Sequence, residues 1–119
     1  MESRAVLRLA RVSPRKARLV ADMIRGQSAS GALEMLKYTR KKSAGLFYKL
    51  VESAVANAEH KAEKTDSYLD IDDLFIKTVF VDQGPTLRRF RPRARGMANR
   101  IHKKTSHLTV ILETPKQGD

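Results

Sequence analysis

Cysteine is absent from the 119-residue sequence, which excludes a disulfide scaffold, a cysteine-containing zinc site and a cysteine nucleophile. The absence fits a reducing compartment, and we expect a cytoplasmic protein. Long apolar runs are absent as well. The N-terminal stretch MESRAVLRLARVSPRK carries an arginine at every third or fourth position, which neither a signal peptide nor a membrane span would do. We therefore expect no membrane anchor and no export.

Motifs for catalysis are also lacking. The sequence contains no Gly-rich phosphate loop, no nucleophile elbow and no paired inward carboxylates. The acidic group Asp70, Asp72 and Asp73 lacks the Gly turn and the terminal Glu of a calcium loop, so we expect it to solvate a loop. We accordingly predict a protein without enzyme activity, cofactor, metal or small-molecule substrate.

Histidine offers the one catalytic alternative. His102 and His107 lie five residues apart, which does not match a compact pair of metal ligands. Together with Lys103 they would supply the acid, the base and the cation of a ribonuclease. Isolated histidines in a basic strand are far more often surface groups or partners of the backbone, and we favour that interpretation.

Acidic residues are few and unevenly placed. The chain has 24 Lys and Arg against 13 Asp and Glu, a net charge of +11. No acid interrupts residues 3–21 or 83–112, and the second segment holds eight of the net charges. This excess predicts a polyanionic partner, nucleic acid before an anionic membrane surface. The candidate RNA-binding residues in the two segments are Arg4, Arg8, Arg11, Arg15, Lys16, Arg18, Arg88, Arg89, Arg91, Arg93, Arg95, Arg100, Lys103 and Lys104.

The apolar pattern predicts one α+β domain over residues 1–119: three helices packed on a small antiparallel sheet, with a long protruding β-hairpin. The body covers 1–82 and 105–113, the extended hairpin 83–104 and a short tail 114–119. Strands are predicted at 5–12, 74–81 and 106–112, and the last two form one hairpin in which Phe75 pairs near Leu112.

The first two helices have recognisable ends. Ser13 as N-cap and Pro14 in the first turn begin the first helix, and Gly26 ends it. A second, short helix follows Ser28 or Ser30. The residues predicted to face inward are Leu19, Val20, Met23 and Ile24 in the first helix and Ala32, Leu33 and Leu36 in the second.

The third helix, from about residue 41 to 64, is predicted to be the centre of the core. Its small alanines would let another element approach closely. Asn57 on this helix is expected to be a buried polar group that bonds to the backbone. The residues that recur at steps of three and four are Ala44, Phe47, Leu50, Val51, Ala54, Val55 and Ala58.

Residues 83–104, which we call the finger, have a predicted apex near Arg93 and Ala94. Each arm would project roughly 35 Å at about 3.3 Å per residue. The arms bury too little apolar surface to offset an ordering cost of about 1–2 kcal/mol per residue, so the finger needs a partner. The segment RRFRPRARG spaces forked donors for irregularly placed phosphates. Phe90 either stacks on a base or joins a small cluster with Leu87 or Ile101, and both alternatives stay open.

Four strings carry a family resemblance: SPRKARLVADMIRG at 13–26, ALEMLKYTRKKSA at 32–44, ESAVANAEH at 52–60 and VDQGPTLRRFRPRARGMANRIHKKTSHLTVIL at 81–112. In this order they resemble the bacterial large-subunit ribosomal protein twenty-two family over roughly residues 1–113. The stretches GPTLRRFRPRARG and RIHKKTSH are the most specific.

The resemblance implies an α/β body with a long hairpin that binds large-subunit (23S-type) ribosomal RNA and reaches the wall of the nascent-peptide exit tunnel. It also implies neighbouring large-subunit proteins and the nascent peptide as partners, a role in subunit assembly, and a macrolide pocket nearby. Arg15, Lys16 and Arg18 would match the family's basic turn at the first helix. The residues implied at the tunnel-facing tip are Arg89, Phe90, Arg91, Pro92, Arg93 and Ala94.

A free nucleoid or RNA-chaperone protein is the alternative that the net charge also suits. A binder indifferent to sequence needs cations spread over a face that matches a regular duplex, whereas these cations concentrate on a projection. We therefore predict a structural component that binds ribosomal RNA.

Overall fold

The computed structural model describes residues 2–65, 68–92 and 98–114, and for 87–92 and 98–103 the description is that of the backbone. The elements in chain order are β1 (Glu2–Ala10), α1 (Pro14–Ile24), α2 (Ala29–Tyr38), α3 (Lys42–Lys64), a 3-10 turn (Ile71–Asp73), β2 (Phe75–Gln83), β3 (Leu87–Pro92), β4 (Ala98–Lys103) and β5 (Ser106–Glu113). The predicted α+β class, with three helices and a small antiparallel sheet, is confirmed.

The sheet of the body is antiparallel, in the order β1-β5-β2, so the last strand of the chain is its central one. β5 buries Leu108, Val110 and Leu112 completely on one face, which confirms the predicted alternation. The helices pack on this face and form one hydrophobic core with it.

The register between β2 and β5 agrees with the predicted pairing of Phe75 near Leu112. Phe75 pairs with Glu113, and Ile76 pairs with Leu112. An irregularity at Lys77 then shifts the ladder by one position. Such a bulge twists the strand and re-aims the side chains that follow it.

β1 begins and ends earlier than the predicted 5–12. Its register with β5 breaks between Leu7 and Ala10, where Leu9 has a φ of 57°. Leucine rarely adopts this left-handed conformation. The Leu9 N–H donates to Nδ1 of His107 at 3.1 Å, which stabilises the irregular segment. The chain therefore leaves the sheet before Val12, where the strand was predicted to end.

The buried face of α1 is rotated relative to the prediction. Val20 and Ile24 are fully buried, but Leu19 is 53% and Met23 37% exposed. The helix lies between β2 and α3, and small side chains fill that contact where large ones were expected. The buried positions are Pro14, Ala17, Val20, Ala21 and Ile24.

The helix ends are at the predicted residues. Ser13 precedes α1, although its side chain makes no capping bond, and its carbonyl oxygen accepts the first helical N–H. Gly26 has a φ of 80° and ends α1 in the left-handed conformation that glycine tolerates. Ser28, and not Ser30, caps α2, since its Oγ accepts a hydrogen bond from the Gly31 N–H at 3.1 Å.

α3 forms the centre of the core, as predicted. Phe47, Val51, Ala54 and Ala58 have no exposed surface. β1 approaches so closely at the alanines that the Ser3 hydroxyl donates to the Ala54 carbonyl oxygen at 2.6 Å.

α3 also covers one edge of the sheet. Asn57 Nδ2 donates to the Arg4 carbonyl oxygen at 3.0 Å, and Lys61 Nζ donates to that of Glu2 at 2.8 Å. Asn57 meets the backbone as predicted, but it is exposed because the bond lies at the rim of the sheet and not inside the core. The edge carbonyls are thereby withdrawn from pairing with another chain.

Arginines of α1 cover the opposite edge. Arg18 Nη2 donates to the Val81 carbonyl oxygen at 3.0 Å, and Arg25 Nη2 donates to that of Val79 at 2.9 Å. These bonds fix α1 along β2 and leave part of each guanidinium exposed.

The finger contains a second sheet of two strands. β3 and β4 pair antiparallel from Leu87 with Lys103 to Pro92 with Ala98. The Cα atoms extend over 70 × 27 × 21 Å, a shape with one long axis, as a protruding hairpin requires. The predicted apex at Arg93 and Ala94 lies outside the described residues.

Candidate nucleic-acid interface

The root of the finger is fixed to the body by hydrogen bonds. The Gly84 N–H donates to the Thr105 carbonyl oxygen at 2.9 Å, and the Thr105 hydroxyl donates to that of Pro85 at 2.5 Å. A Cβ on residue 84 would lie 2.6 Å from Thr105 Oγ1 and 3.3 Å from His107 Nε2, so a side chain at this position would displace Thr105. The ladder of β2 and β5 thus continues into the finger.

Positive charge lines both arms of the finger. Arg88 pairs with His102, Phe90 with Arg100, and no acidic residue occurs in either strand. Arg89 and Arg91 are two positions apart in β3, and like charges at such neighbouring positions repel one another unless an anion lies between them. The ladder is therefore complementary to a polyanion.

Two further arginines lie on the face of the sheet that is opposite to the helices. Arg4 and Arg8 are exposed there, on alternate positions of β1. Together with Phe80 and Asp82 of β2 and His107 of β5 they border a cavity of about 480 Å³. Because His107 also lies against Gly84, this cavity is next to the root of the finger.

A third basic region is on the helical side. Arg15 and Lys16 are exposed in the first turn of α1. Lys16 borders a groove of about 430 Å³ whose other cations are Lys41 and Lys42, at the start of α3. Sequence reasoning did not single out these two lysines, although the run RKK at 40–42 was a visible signal.

Two carboxylates of the sheet, those of Glu2 and Glu113, lie at the end away from the finger. Lys77 Nζ is 3.1 Å from Glu113 Oε2 and 3.5 Å from Glu2 Oε2. The hydrogen bond and charge of Glu113, with a smaller contribution from Glu2, raise the pKa of Lys77 above its ordinary value. The sheet thus carries two of its three carboxylates at this end, and Asp82 is the one near the finger.

Among the side chains that the structure describes, the groups that a metal site would need are dispersed. Over 2–65, 68–86 and 104–114, no three His, Asp or Glu side chains come together as metal ligands. His107 accepts a bond from the backbone, which confirms that expectation for this histidine. In the part of the chain that the structure describes, no helix has the length and apolarity needed to cross a membrane.

Comparison with known proteins decides the family. The model of the family described as Ribosomal protein L22p/L17e matches residues 5–113. The chain belongs to this family. The large ribosomal subunit protein uL22 of Bdellovibrio bacteriovorus is 52% identical over 113 residues, which cover 95% of this chain and 98% of that protein. Membership in L22p/L17e confirms the resemblance of the four strings and the expected location in the ribosome, in the cytoplasm.

The predicted RNA-binding residues and the predicted tunnel-facing tip residues fall into three sets within this L22p/L17e chain. Side chains that the structure places on the surface are Arg4, Arg8, Arg11, Arg15, Lys16, Arg18 and Lys104. Residues placed by backbone pairing in the finger are Arg88, Arg89, Phe90, Arg91, Pro92, Arg100 and Lys103. Arg93, Ala94 and Arg95 lie outside the described residues.

Sequence reasoning missed Phe80. The phenylalanine was included in an apolar strand, but Val79 and Val81 on either side of it are buried and Phe80 itself is 37% exposed. The available signal was the period of two, which assigns Phe80 to the face opposite its neighbours.

Proposed function

We propose that this L22p/L17e protein is a structural constituent of the large ribosomal subunit and binds the large-subunit ribosomal RNA. Its finger reaches between RNA segments to the wall of the nascent-peptide exit tunnel, and the protein takes part in subunit assembly. No catalytic step belongs to this role. Neighbouring large-subunit proteins and the nascent peptide are the further partners, with the macrolide pocket near the finger tip.

The observation that carries the proposal is the acid-free ladder of β3 and β4. Six residue pairs form this separate two-stranded sheet, and five of the twelve residues are Arg or Lys. A two-stranded ribbon without a core is marginally stable in water. Ribosomal RNA supplies the two things that the ribbon lacks, which are a packing surface and neutralising phosphates.

The register of the ladder favours one of the two alternatives for Phe90. Phe90 pairs with Arg100, while Ile101 pairs with Arg89. Because successive residues of a strand alternate between faces, Phe90 and Ile101 belong to opposite faces of the ribbon, and so do Phe90 and Leu87. An apolar cluster of these three is therefore disfavoured, and stacking of Phe90 on a base is the better proposal.

The body contributes the remaining RNA contacts in this proposal. Arg15 and Lys16 are free to meet phosphate at the start of α1. Arg18 uses one nitrogen for Val81 and retains further N–H groups for an anion. Arg93 and Arg95 are proposed to act at the tip, in part towards the tunnel lumen.

The test is ultraviolet crosslinking of the full chain to RNA in growing cells, with purification under denaturing conditions and sequencing of the attached fragments. We expect reads from several separate segments of large-subunit ribosomal RNA. A chain without the finger, run in parallel, should lose a subset of these segments and keep the others. Reads scattered over transcripts, or DNA in place of RNA, would contradict the proposal and favour a chaperone or nucleoid protein.

A further inference from the structure

The outer face of the three-stranded sheet is uncovered by the described elements of the chain. β1 buries Ser3 and Ala5 towards the helices and exposes Arg4, Val6 and Arg8 on the other side. Both edges of the sheet are capped by helical side chains, but this face is not.

Two exposed apolar side chains flank the buried Thr109 in a row that crosses this face. Val6 pairs with Thr109, and Thr109 pairs with Phe80, so the three residues lie side by side on β1, β5 and β2. Val6 is 41% and Phe80 37% exposed. An aromatic ring open to solvent in a sheet is a platform on which a nucleobase stacks.

Charged groups surround the row and give the cavity a net positive charge. Arg4, Arg8, Asp82 and His107 border the same space of about 480 Å³, which lies within the range of about 300–1,000 Å³ for small-ligand sites. Two guanidinium groups outweigh one carboxylate, so an anionic occupant is favoured. Nδ1 of His107 accepts the Leu9 N–H, which orients the ring in the cavity wall.

We propose that this face binds a single unpaired RNA nucleotide, with its base stacked on Phe80 and its flanking phosphates paired with Arg4 and Arg8. The inference rests on the proposed function, since it takes RNA as the partner. It adds a contact surface on the body that is distinct from the finger and selects for an unstacked base.

Asp82 determines which base is preferred. It is two residues from Phe80 on the same strand and borders the same cavity, so its carboxylate meets the edge of a base that lies on the ring. A carboxylate only accepts hydrogen bonds, and the Watson–Crick edge of guanine presents two neighbouring donors to it. The other bases present at most one such donor group, which makes guanine the preferred base.

The test uses full-length protein and four RNA pentamers, UUGUU, UUAUU, UUCUU and UUUUU, with affinities measured by NMR titration at low salt. Resonances of Phe80 and His107 should shift most, and UUGUU should bind most tightly. Phe80→Leu, which keeps an apolar side chain and removes the aromatic face, should weaken UUGUU by roughly 5- to 150-fold. Phe80→Trp, which keeps an aromatic face, should bind UUGUU about as tightly as wild type. Asp82→Asn should abolish the preference for UUGUU over the other pentamers.

Matched controls separate this inference from the general RNA-binding role. Tyr38 is 74% exposed on α2, away from the sheet face, and Tyr38→Leu should leave every pentamer affinity unchanged. Equal affinities of wild type and Phe80→Leu would overturn the inference. If binding to large-subunit RNA persisted in that case, the proposed function would stand. Absence of binding to pentamers and to large-subunit RNA alike would overturn both.

Discussion

Leu9 holds a conformation that its side chain disfavours. Its φ is 57°, its side chain is 58% exposed, and its N–H is bonded to His107. The left-handed region costs a non-glycine residue about 1–2 kcal/mol, whereas glycine adopts it freely but loses about 0.5–1 kcal/mol through its more flexible unfolded chain. Leu9→Gly should therefore raise the free energy of unfolding by about 0.5 kcal/mol, measured by urea denaturation.

A glycine substitution two positions earlier in the same strand provides the control. Leu7 pairs with Leu108 and packs against the core, so Leu7→Gly should lower the free energy of unfolding by more than about 2 kcal/mol. A loss of stability in Leu9→Gly would show that the exposed leucine makes a contact worth more than its strain.

The ion group around Lys77 joins the three strands of the sheet at one end. Glu113 and Glu2 raise its pKa, so the group stabilises the fold fully below the unfolded-state pKa of about 10.4, and the stabilisation disappears as the pH rises through the folded-state pKa. The difference in urea midpoint between wild type and Lys77→Gln should stay constant from pH 8 to about 10 and shrink above it.

Lys49 provides the comparison for this pH series. It is an exposed lysine of α3 without an ion pair among the described side chains, so Lys49→Gln removes the same charge without breaking an ion pair of this kind. A Lys77 difference that grows above pH 10.5 would be inconsistent with the raised pKa.

The finger is an element whose removal should leave the body folded. Gly84 and Thr105 are already a hydrogen-bonded pair, so an Asn-Gly turn between them can replace residues 85–104 with β2 and β5 in register. The buried apolar side chains that the structure describes all lie outside the deleted segment. We expect cooperative thermal unfolding within about 8 °C of the full chain, measured by circular dichroism.

A loss of cooperative unfolding in the shortened chain would mean that the finger contributes to the core. Deletion of residues 75–83 is the opposite control, because it removes β2 with Ile76, Val79 and Val81 and should abolish folding.

Periodicity was sufficient to predict the elements and their order. The third helix was recognisable because apolar residues recur in it at steps of three and four. The β2–β5 hairpin was recognisable because apolar residues recur in its strands at steps of two. α1 was predicted with the wrong face, since Leu19 and Met23 are larger than Ala17 and Ala21 but the narrow space against β2 and α3 admits the smaller pair. Apolar size therefore indicated the helix but not its orientation.

The bulge at Lys77 and the bend at Leu9 were beyond sequence reasoning because neither position has the glycine or proline that marks an irregular strand. The basic residues were also identified from the sequence, but their grouping in space was not. Charge along the chain identified Arg4 and Arg8, but only the pairing of β1, β5 and β2 places them beside Phe80.

Charge distribution over the whole molecule sets the salt dependence of RNA binding. Each cation that neutralises a phosphate contributes about 0.7–0.9 to the slope of log affinity against log salt. Arg93→Ala with Arg95→Ala should therefore reduce the slope for large-subunit RNA by about 1.4–1.8, and the variant body should unfold at the wild-type temperature.

The control with the same net charge is Lys37→Ala with Lys49→Ala, on the exposed surface of α2 and α3, which should leave the slope nearly unchanged. Equal losses in both variants would mean that the RNA responds to total charge alone. An unchanged slope in the finger variant would instead place these two arginines towards the tunnel lumen or solvent, with the phosphates bound by β3, β4 and the body.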